Sequence, residues 1–258
     1  CWALQAGTSH YLGQNFAKAF DITYLDRNNE LQHCWTTSWG VSTRMEGAVI
    51  GVHGDDQGLL LPPKLAPIQV VIVPIWRNDE QKSAVMEGLE RVRSELAGFR
   101  IDVDDREGQS PGWKFNESEL KGIPLRVEIG PRDVSKEQVV LARRDIPGRD
   151  GKSFVPMAGL GARVGEMLDT VQASLYQRAL DFRKANTVDA QDYGEIVEAV
   201  GDHFVLAYWC GDPEHEVRLK EETSATHRCI PLEQDGVAGT CAFCGKPAQE
   251  KALFARAY

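Results

Sequence analysis

Residues 68–76, IQVVIVPIW, form an apolar run of the kind that parallel sheets bury on both faces. A strand covered on both faces needs helices around it, and the next segment supplies one. In NDEQKSAVMEGLERVRSELAG (78–98), Val85, Met86, Leu89, Val92 and Leu96 recur at helical spacing. Asn78 stands where an N-cap is needed, and Gly98 where the helix would close. RIDVDD (100–105) reads as a short strand, and SPGWKFNESELKG (110–122) as a loop running into a short helix that Gly122 stops. PLRVEIG (124–130) and QVVLARRD (138–145) alternate like half-buried strands. This β-α-β-α-β-β order predicts an α/β domain of ordinary size.

The flanks differ. Residues 1–65 read as strands and short turns, because QHCWTTSWGVSTR (32–44) and GAVIGVHG (47–54) are rich in β-branched and aromatic residues. GDDQG is a turn cluster, and LLLPPKLAP a proline-broken connector. After the α/β segment, residues 161–188 predict a long helix with a stripe of Val164, Met167, Leu168, Val171, Leu175 and Leu180. The last module reads as a short helix (190–201), a strand (203–210), turn-rich sequence around the cysteines, and the ending ALFARAY. The longest apolar run, interrupted by two prolines, falls short of the ~20 residues a membrane span requires. With no signal-peptide pattern either, the expectation is a cytoplasmic protein without a membrane partner. A net charge of −9 excludes a broadly basic nucleic-acid binder, so any RNA contact must be local.

Three clusters carry candidate chemistry. TCAFCG (240–245) holds Cys241 and Cys244 at a spacing that lets two thiolates face one ion. Tetrahedral zinc needs two more donors, and the spacing leaves Cys210, His215 and Cys229 as alternatives; the role would be structural. Second, Arg44 at the lip of a strand, with Gly47, Gly51 and Gly54 keeping side chains out of the way, suits a flat ligand bearing phosphates. Third, Glu119, Arg126, Arg132 and Asp133 bring both signs of charge onto neighbouring positions. A carboxylate can accept from guanine's Watson–Crick edge while Arg donates to its O6 and N7.

In LQAGTSHYLGQNFAKAFDI (4–22), TSWGVSTRMEGAVIGVHGDDQGLLLPPKLAPIQVVIVPI (37–75), SPGWKFNESELKGIPLRVEIGPRD (110–133) and ETSATHRCIP with CAFCGK and FARAY, the chain resembles prolyl-tRNA synthetases of the archaeal and eukaryote-like type. The resemblance runs from residue 1 to residue 258 in the family's order and begins partway through the family's catalytic domain. It implies an α/β and α+β multidomain chain: the end of a class II antiparallel catalytic sheet with motif 3 (1–65), an α/β anticodon-binding domain (66–160), and a linker helix with a small zinc-bearing C-terminal α/β domain (161–258). It also implies proline, ATP with Mg2+, and tRNA(Pro) as substrates, an N-terminal half of the synthetase as partner, and a homodimer in the full enzyme.

By the same resemblance, Gln5 and Thr8 would meet the nucleotide and His10 the floor of the proline pocket. Ser42 and Thr43 match the polar pair before the motif 3 Arg, and Arg44 the catalytic Arg that clamps ATP. Glu119, Arg126, Arg132 and Asp133 match the anticodon-reading positions, where the proline anticodon offers two guanines. The family's opening zinc pair is C-x4-C, and His215 occupies its second position here. The implied zinc set is therefore Cys210, His215, Cys241 and Cys244, with Cys229 a buried bystander and an all-cysteine site using Cys229 the alternative. The expected function is the C-terminal portion of a proline–tRNA ligase, inactive without its upstream half. The rival functions are a stand-alone tRNA-binding module and a zinc-stabilised interaction domain.

Overall fold

The computed structural model describes residues 1–234 and 236–258, and these fall into two units: 1–48 with 182–258, and 49–181. The first unit opens with β1 (Trp2–Ala3), β2 (Thr8–Gly13), α1 (Asn15–Ala19), β3 (Thr23–Leu25), β4 (Leu31–His33) and β5 (Thr36–Gly40). β2 pairs antiparallel with β5, and β3 with β4. This region is short of core: Tyr11, Phe20, Leu25, Leu31, Trp35 and Trp39 are all exposed, and Ala17 alone among its described apolar residues is buried.

The chain passes between the units in α2 (Arg44–His53), which corrects the strand expected for GAVIGVHG. Met45, Ala48, Val49 and Val52 recur at i, i+3, i+4 and i+7, and this helical period prevails over the β-branched content. The Ser42 hydroxyl accepts from Arg44 N–H at 3.3 Å as the helix begins. Arg44 therefore lies in a helical first turn, not at a strand lip, and Gly47 and Gly51 lie on the same helix, where an added Cβ would meet nothing.

The second unit continues with β6 (Val70–Pro74), α3 (Asp79–Glu95), β7 (Ile101–Val103), α4 (Pro111–Leu120), β8 (Leu125–Ile129), α5 (Pro131–Ser135), β9 (Gln138–Arg143), β10 (Lys152–Pro156) and α6 (Leu160–Ala185). The sheet order is β10-β9-β8-β6-β7; β6 runs parallel to β7 and β8, and β9 antiparallel to β8 and β10. The apolar run thus becomes an interior strand of a five-stranded sheet, between β8 and β7, with all of Val70–Pro74 buried. Val70 and Ile72 face α3 through Val85, Leu89, Val92 and Leu96. Val71 and Val73 face the other side, where Ile123 and Phe115 pack. Asn78 caps α3 by accepting from Gln81 N–H at 2.9 Å. The helix is capped at Leu96 and not at Gly98, and Ser110 caps α4 directly, leaving no room for the loop expected before that helix.

Gly122 stops α4 with φ +70°, and a Cβ there would lie 2.6 Å from the Leu59 carbonyl carbon. Gly122→Ala should therefore destabilise this unit by about 1–3 kcal/mol, through left-handed backbone strain and the clash. Urea unfolding checks this, and an unchanged midpoint would show that the 59–61 segment yields instead.

The first unit resumes with β11 (Thr187–Ala190), α7 (Tyr193–Ala199), β12 (Phe204–Trp209), α8 (Pro213–Thr223), β13 (Ala225–Cys229), β14 (Gly239–Thr240), β15 (Pro247–Ala248) and β16 (Glu250–Ala257). The helix expected over 161–188 ends at Ala185, and β-branched Thr187 and Val188 start β11 instead. Its main sheet has the order β1-β16-β12-β11, with β13 also pairing with β16. Ile196, Val200, Val205, Leu219 and Phe254 are the centre of its core. No helix among the described residues is long and apolar enough to cross a membrane.

Candidate functional site

A cavity of about 450 Å3 opens on the α4 side of the second unit's sheet. Its charged wall follows from strand periodicity. Leu125, Val127 and Ile129 of β8 enter the core on one face, so Arg126 and Glu128 share the other. Register then adds a third strand: Arg126 lies opposite Ala142 of β9, and Ala142 opposite Lys152 of β10. The small Ala142 side chain lets the longer ones converge above it. Arg126 Nε donates to Glu128 at 3.1 Å, its Nη1 to Glu119 at 3.0 Å, and Lys152 Nζ donates to both Glu128 oxygens at 2.7 and 2.9 Å. The Arg126 guanidinium lies 4.1 Å from the Phe115 ring centroid.

Arg126 is 7% and Glu128 8% exposed, so each charge needs its partner; an unpaired buried ion costs several kcal/mol. The result is a row of alternating acceptors and donors, Glu119–Arg126–Glu128–Lys152, of which Glu119, Arg126 and Lys152 line the cavity beside the Phe115 ring and Glu128 pairs with the two cations. Such a wall can stack a base and meet both donors and acceptors on its edge.

Glu119 and Arg126 are thus brought together, as the sequence reading expected. Arg132 and Asp133 are not: they lie in α5 beyond the far end of β8, outside this cavity. Arg132 is exposed, while Asp133 accepts from Gly130 N–H at 3.0 Å and holds the start of α5. Sequence reasoning missed Phe115, Glu128 and Lys152. Glu128 could have been found from the two-residue spacing to Arg126. Lys152 could not, because its place depends on the β9–β10 register.

On the cavity's rim, Arg144 donates to both carboxylate oxygens of Asp55, at 2.8 and 2.6 Å. That guanidinium holds the Asp55 carboxyl below the usual carboxylate range, helped by the Gln57 N–H and against some burial. A second cavity, about 280 Å3, opens beyond the carboxyl ends of β6 and β7. Three of the four cations in its lining are ion-paired, Lys82 to Glu107, Arg106 to Asp104 and Glu117, and Lys114 to Asp104; the fourth is Arg77.

In the first unit, Thr8 and His10 share one face of β2, opposite Gly40 and Ser38 of β5. Gln5 Oε1 accepts from Arg44 at 3.4 Å, which gathers Gln5, Thr8, Ser42, Thr43 and Arg44 near the end of that ladder. His10 lies further along and, like Arg44, is exposed.

The metal candidates converge. Cys210 Sγ is 3.8 Å from His215 Nδ1 and 3.9 Å from Cys244 Sγ, and Cys241 Sγ is 3.8 Å from the same imidazole nitrogen. All four donor atoms lie within 4.8 Å of one another. Thiolates at about 2.3 Å from a tetrahedral zinc would be about 3.8 Å apart, so the donor set fits that ion. His215 arrives on the first turn of α8 rather than on a loop, with Asp212 as N-cap and Pro213 at the first helical position. Its ring stacks on Phe243, with centroids 4.9 Å apart, and Phe243 packs on Phe254 in the core. Cys229, on β13, is exposed and outside the cluster, not a buried bystander.

Comparison with known proteins agrees with this layout. The family described as "Anticodon binding domain" matches residues 69–154, and "Prolyl-tRNA synthetase, C-terminal" matches residues 193–258. The proline–tRNA ligase of Chloroflexus aurantiacus is 58% identical over 257 residues, covering 99% of this chain and 54% of that protein. The chloroplastic/mitochondrial proline–tRNA ligase of Arabidopsis thaliana is 52% identical, over 99% of this chain and 48% of the relative. A crystal structure of Cryptosporidium parvum prolyl-tRNA synthetase, complexed with L-proline and AMP, superposes with a TM-score of 0.88 at 36% identity. It covers 98% of this chain and 55% of that one. The chain spans about half the length of the relatives it matches. With two family domains in series and similarity along nearly its whole length, the chain belongs to the prolyl-tRNA synthetase family, to the anticodon-binding and C-terminal portion of its members.

Proposed function

We propose that this chain supplies the anticodon-reading part, and one wall of the aminoacylation site, of an enzyme that charges tRNA(Pro) with proline. The observation that carries the reading is the Glu119–Arg126–Phe115 arrangement inside the segment matched as an anticodon-binding domain. In it, Phe115 stacks a base, Arg126 donates to guanine oxygen or nitrogen, and Glu119 accepts from guanine's N–H groups. Arg132 and Asp133 enter as a separate patch beyond the far end of β8, with Arg132 free to meet RNA.

In the parent reaction the proline carboxylate attacks the α-phosphate of ATP, expelling pyrophosphate and forming prolyl-adenylate. A ribose hydroxyl at the tRNA 3′ end then takes the prolyl group, releasing AMP. Arg44 clamps the ATP phosphates, Ser42 and Thr43 set the approach to Arg44, Gln5 and Thr8 bind the nucleotide, and His10 lines the proline pocket. Mg2+ accompanies ATP. Rate acceleration in such a site comes from positioning and charge stabilisation. The AMP and proline bound to the Cryptosporidium relative support these substrates.

The exposed apolar and aromatic surface of β2, β3, β4 and β5 and the loops beside them supports packing against further catalytic structure, the synthetase's N-terminal half. We assign the functional division 1–65, 66–160 and 161–258, a structural zinc on Cys210, His215, Cys241 and Cys244, homodimerisation of the full enzyme, and a cytoplasmic setting.

The test is binding of an RNA stem-loop carrying the proline anticodon, followed by fluorescence anisotropy. Binding should weaken steeply with salt. Arg126→Ala should cost about 1–3 kcal/mol and relax preference at one guanine. An equal loss on a stem-loop with an altered anticodon would remove the base-reading role.

A further inference from the structure

One wall of the RNA cavity is a turn that precedes the α/β sheet in sequence. Asp55 and Gly58 bridge each other through two backbone hydrogen bonds of 3.0 Å, and Asp55 Oδ1 accepts from Gln57 N–H at 2.9 Å. The chain leaving this turn is laced to the end of α4. Leu59 N–H donates to the Leu120 carbonyl at 3.0 Å and Leu61 N–H to the Gly122 carbonyl at 3.1 Å. Gly58, at φ +125°, sits so close that a Cβ would be 2.7 Å from the Leu120 backbone.

Arg144 joins the turn to the reading residue. It is 5% exposed; besides its two bonds to Asp55, its Nε donates to the Glu119 carbonyl at 2.9 Å. One planar guanidinium thus meets three oxygens, two on the turn and one on the residue whose carboxylate meets Arg126. Gln57 lines the cavity from this turn, and its exposed side-chain amide makes no hydrogen bond among the described residues.

We propose that Gln57 is a further base-contacting residue of this cavity and that Arg144 is its positioning residue; the proposal rests on the RNA-binding reading above. A primary amide offers two donors and a two-lone-pair acceptor side by side, which matches a nucleobase edge. A free amide on a mobile turn would lose rotamer and backbone entropy on binding. The Asp55–Arg144 clamp removes much of that loss in advance.

The experiment uses the 258-residue chain and RNA stem-loops in which each anticodon-loop base is replaced in turn. Gln57→Ala should weaken binding about fivefold to tenfold through one loop base only, and leave preference at the others intact. Arg144→Lys keeps a cation beside Asp55 but cannot reach all three oxygens, so it should lose preference at that same base. The double variant should be no weaker at that base than Arg144→Lys alone, since the lysine already misplaces Gln57. Additive losses would overturn the positioning role. Should Arg144→Lys fail to fold in a thermal scan, Asp55→Asn, at a half-exposed side chain, makes the same test. If Arg126→Ala weakens binding while Gln57→Ala changes no base preference, the inference falls and the RNA reading stands. If Arg126→Ala has no effect either, the RNA reading falls and takes the inference with it.

Discussion

His215→Ala should empty the proposed metal centre and loosen the knuckle at 241–245. Elemental analysis of the wild-type chain is expected to find one zinc, and of the variant none. Cys210 reaches the site just beyond β12, Cys241 and Cys244 from a single knuckle, and His215 from the first turn of α8, so a bound ion would tie a strand end, a helix start and a turn together. α8 and β13, which lie between these elements, give Leu219 and Ala225 to the core of the sheet, whereas the knuckle adds only Ala242 and Phe243 to it among the described residues. Loss of zinc should therefore unfold the knuckle without melting the unit. With free zinc about 10²–10³ above its Kd, the stability lost is about 3–4 kcal/mol.

His215→Ala also removes a ring stacked on Phe243, so Cys244→Ser, at an exposed ligand, is the cleaner companion: it should release zinc with little packing loss. With a neutral imidazole as one ligand, the proposed three-thiolate site would have one negative charge fewer than an all-thiolate site and should release metal earlier as pH falls. Cys229→Ser should leave zinc content unchanged. Were Cys229→Ser to empty the site while His215→Ala kept it, the ligand set would be the all-cysteine one.

Arg44→Ala, made in a full-length synthetase carrying this sequence, is expected to lower proline-dependent ATP–pyrophosphate exchange by ~10²–10³, the usual cost of removing a charge-stabilising donor. Arg44 is exposed, and its side chain hydrogen-bonds Gln5 at 3.4 Å. Thermal stability should then stay within ~0.5 kcal/mol of the parent, as for other exposed substitutions. Binding of the anticodon stem-loop should not change, because Arg126 and Glu119 are untouched. Exchange at the parent rate in the variant would remove Arg44 from the ATP site. Gln5→Ala should show a smaller loss of the same kind if the Gln5 amide orients the guanidinium.

What the sequence determined by itself was whatever its local period encodes. The apolar run within 68–76 demanded cover on both faces, and the helical spacing from Val85 to Leu96 identified one of the covers. The C-x-x-C knuckle and its neighbours narrowed the metal donors to five residues, and the family resemblance named four. Where two local signals conflicted, reading failed: residues 47–54 carry strand composition on a helical period, and the period decided. Charge pattern put Glu119 and Arg126 among four candidate base readers and the resemblance kept all four, so neither separated that pair from Arg132 and Asp133.

Only the tertiary structure could decide the rest, because it depends on register and on contacts distant in sequence. Lys152 joins Arg126 through two ladder steps across β9, and a one-residue slip in either would turn its side chain away. Arg132 and Asp133, close to Arg126 in sequence, end up outside its cavity because β8 carries the chain past it. Asp55 and Arg144 are 89 residues apart, and their pairing follows from Gly58 and Gly122 letting the turn lie against α4. Periodicity states which face a residue takes; it does not state which distant residue shares that face.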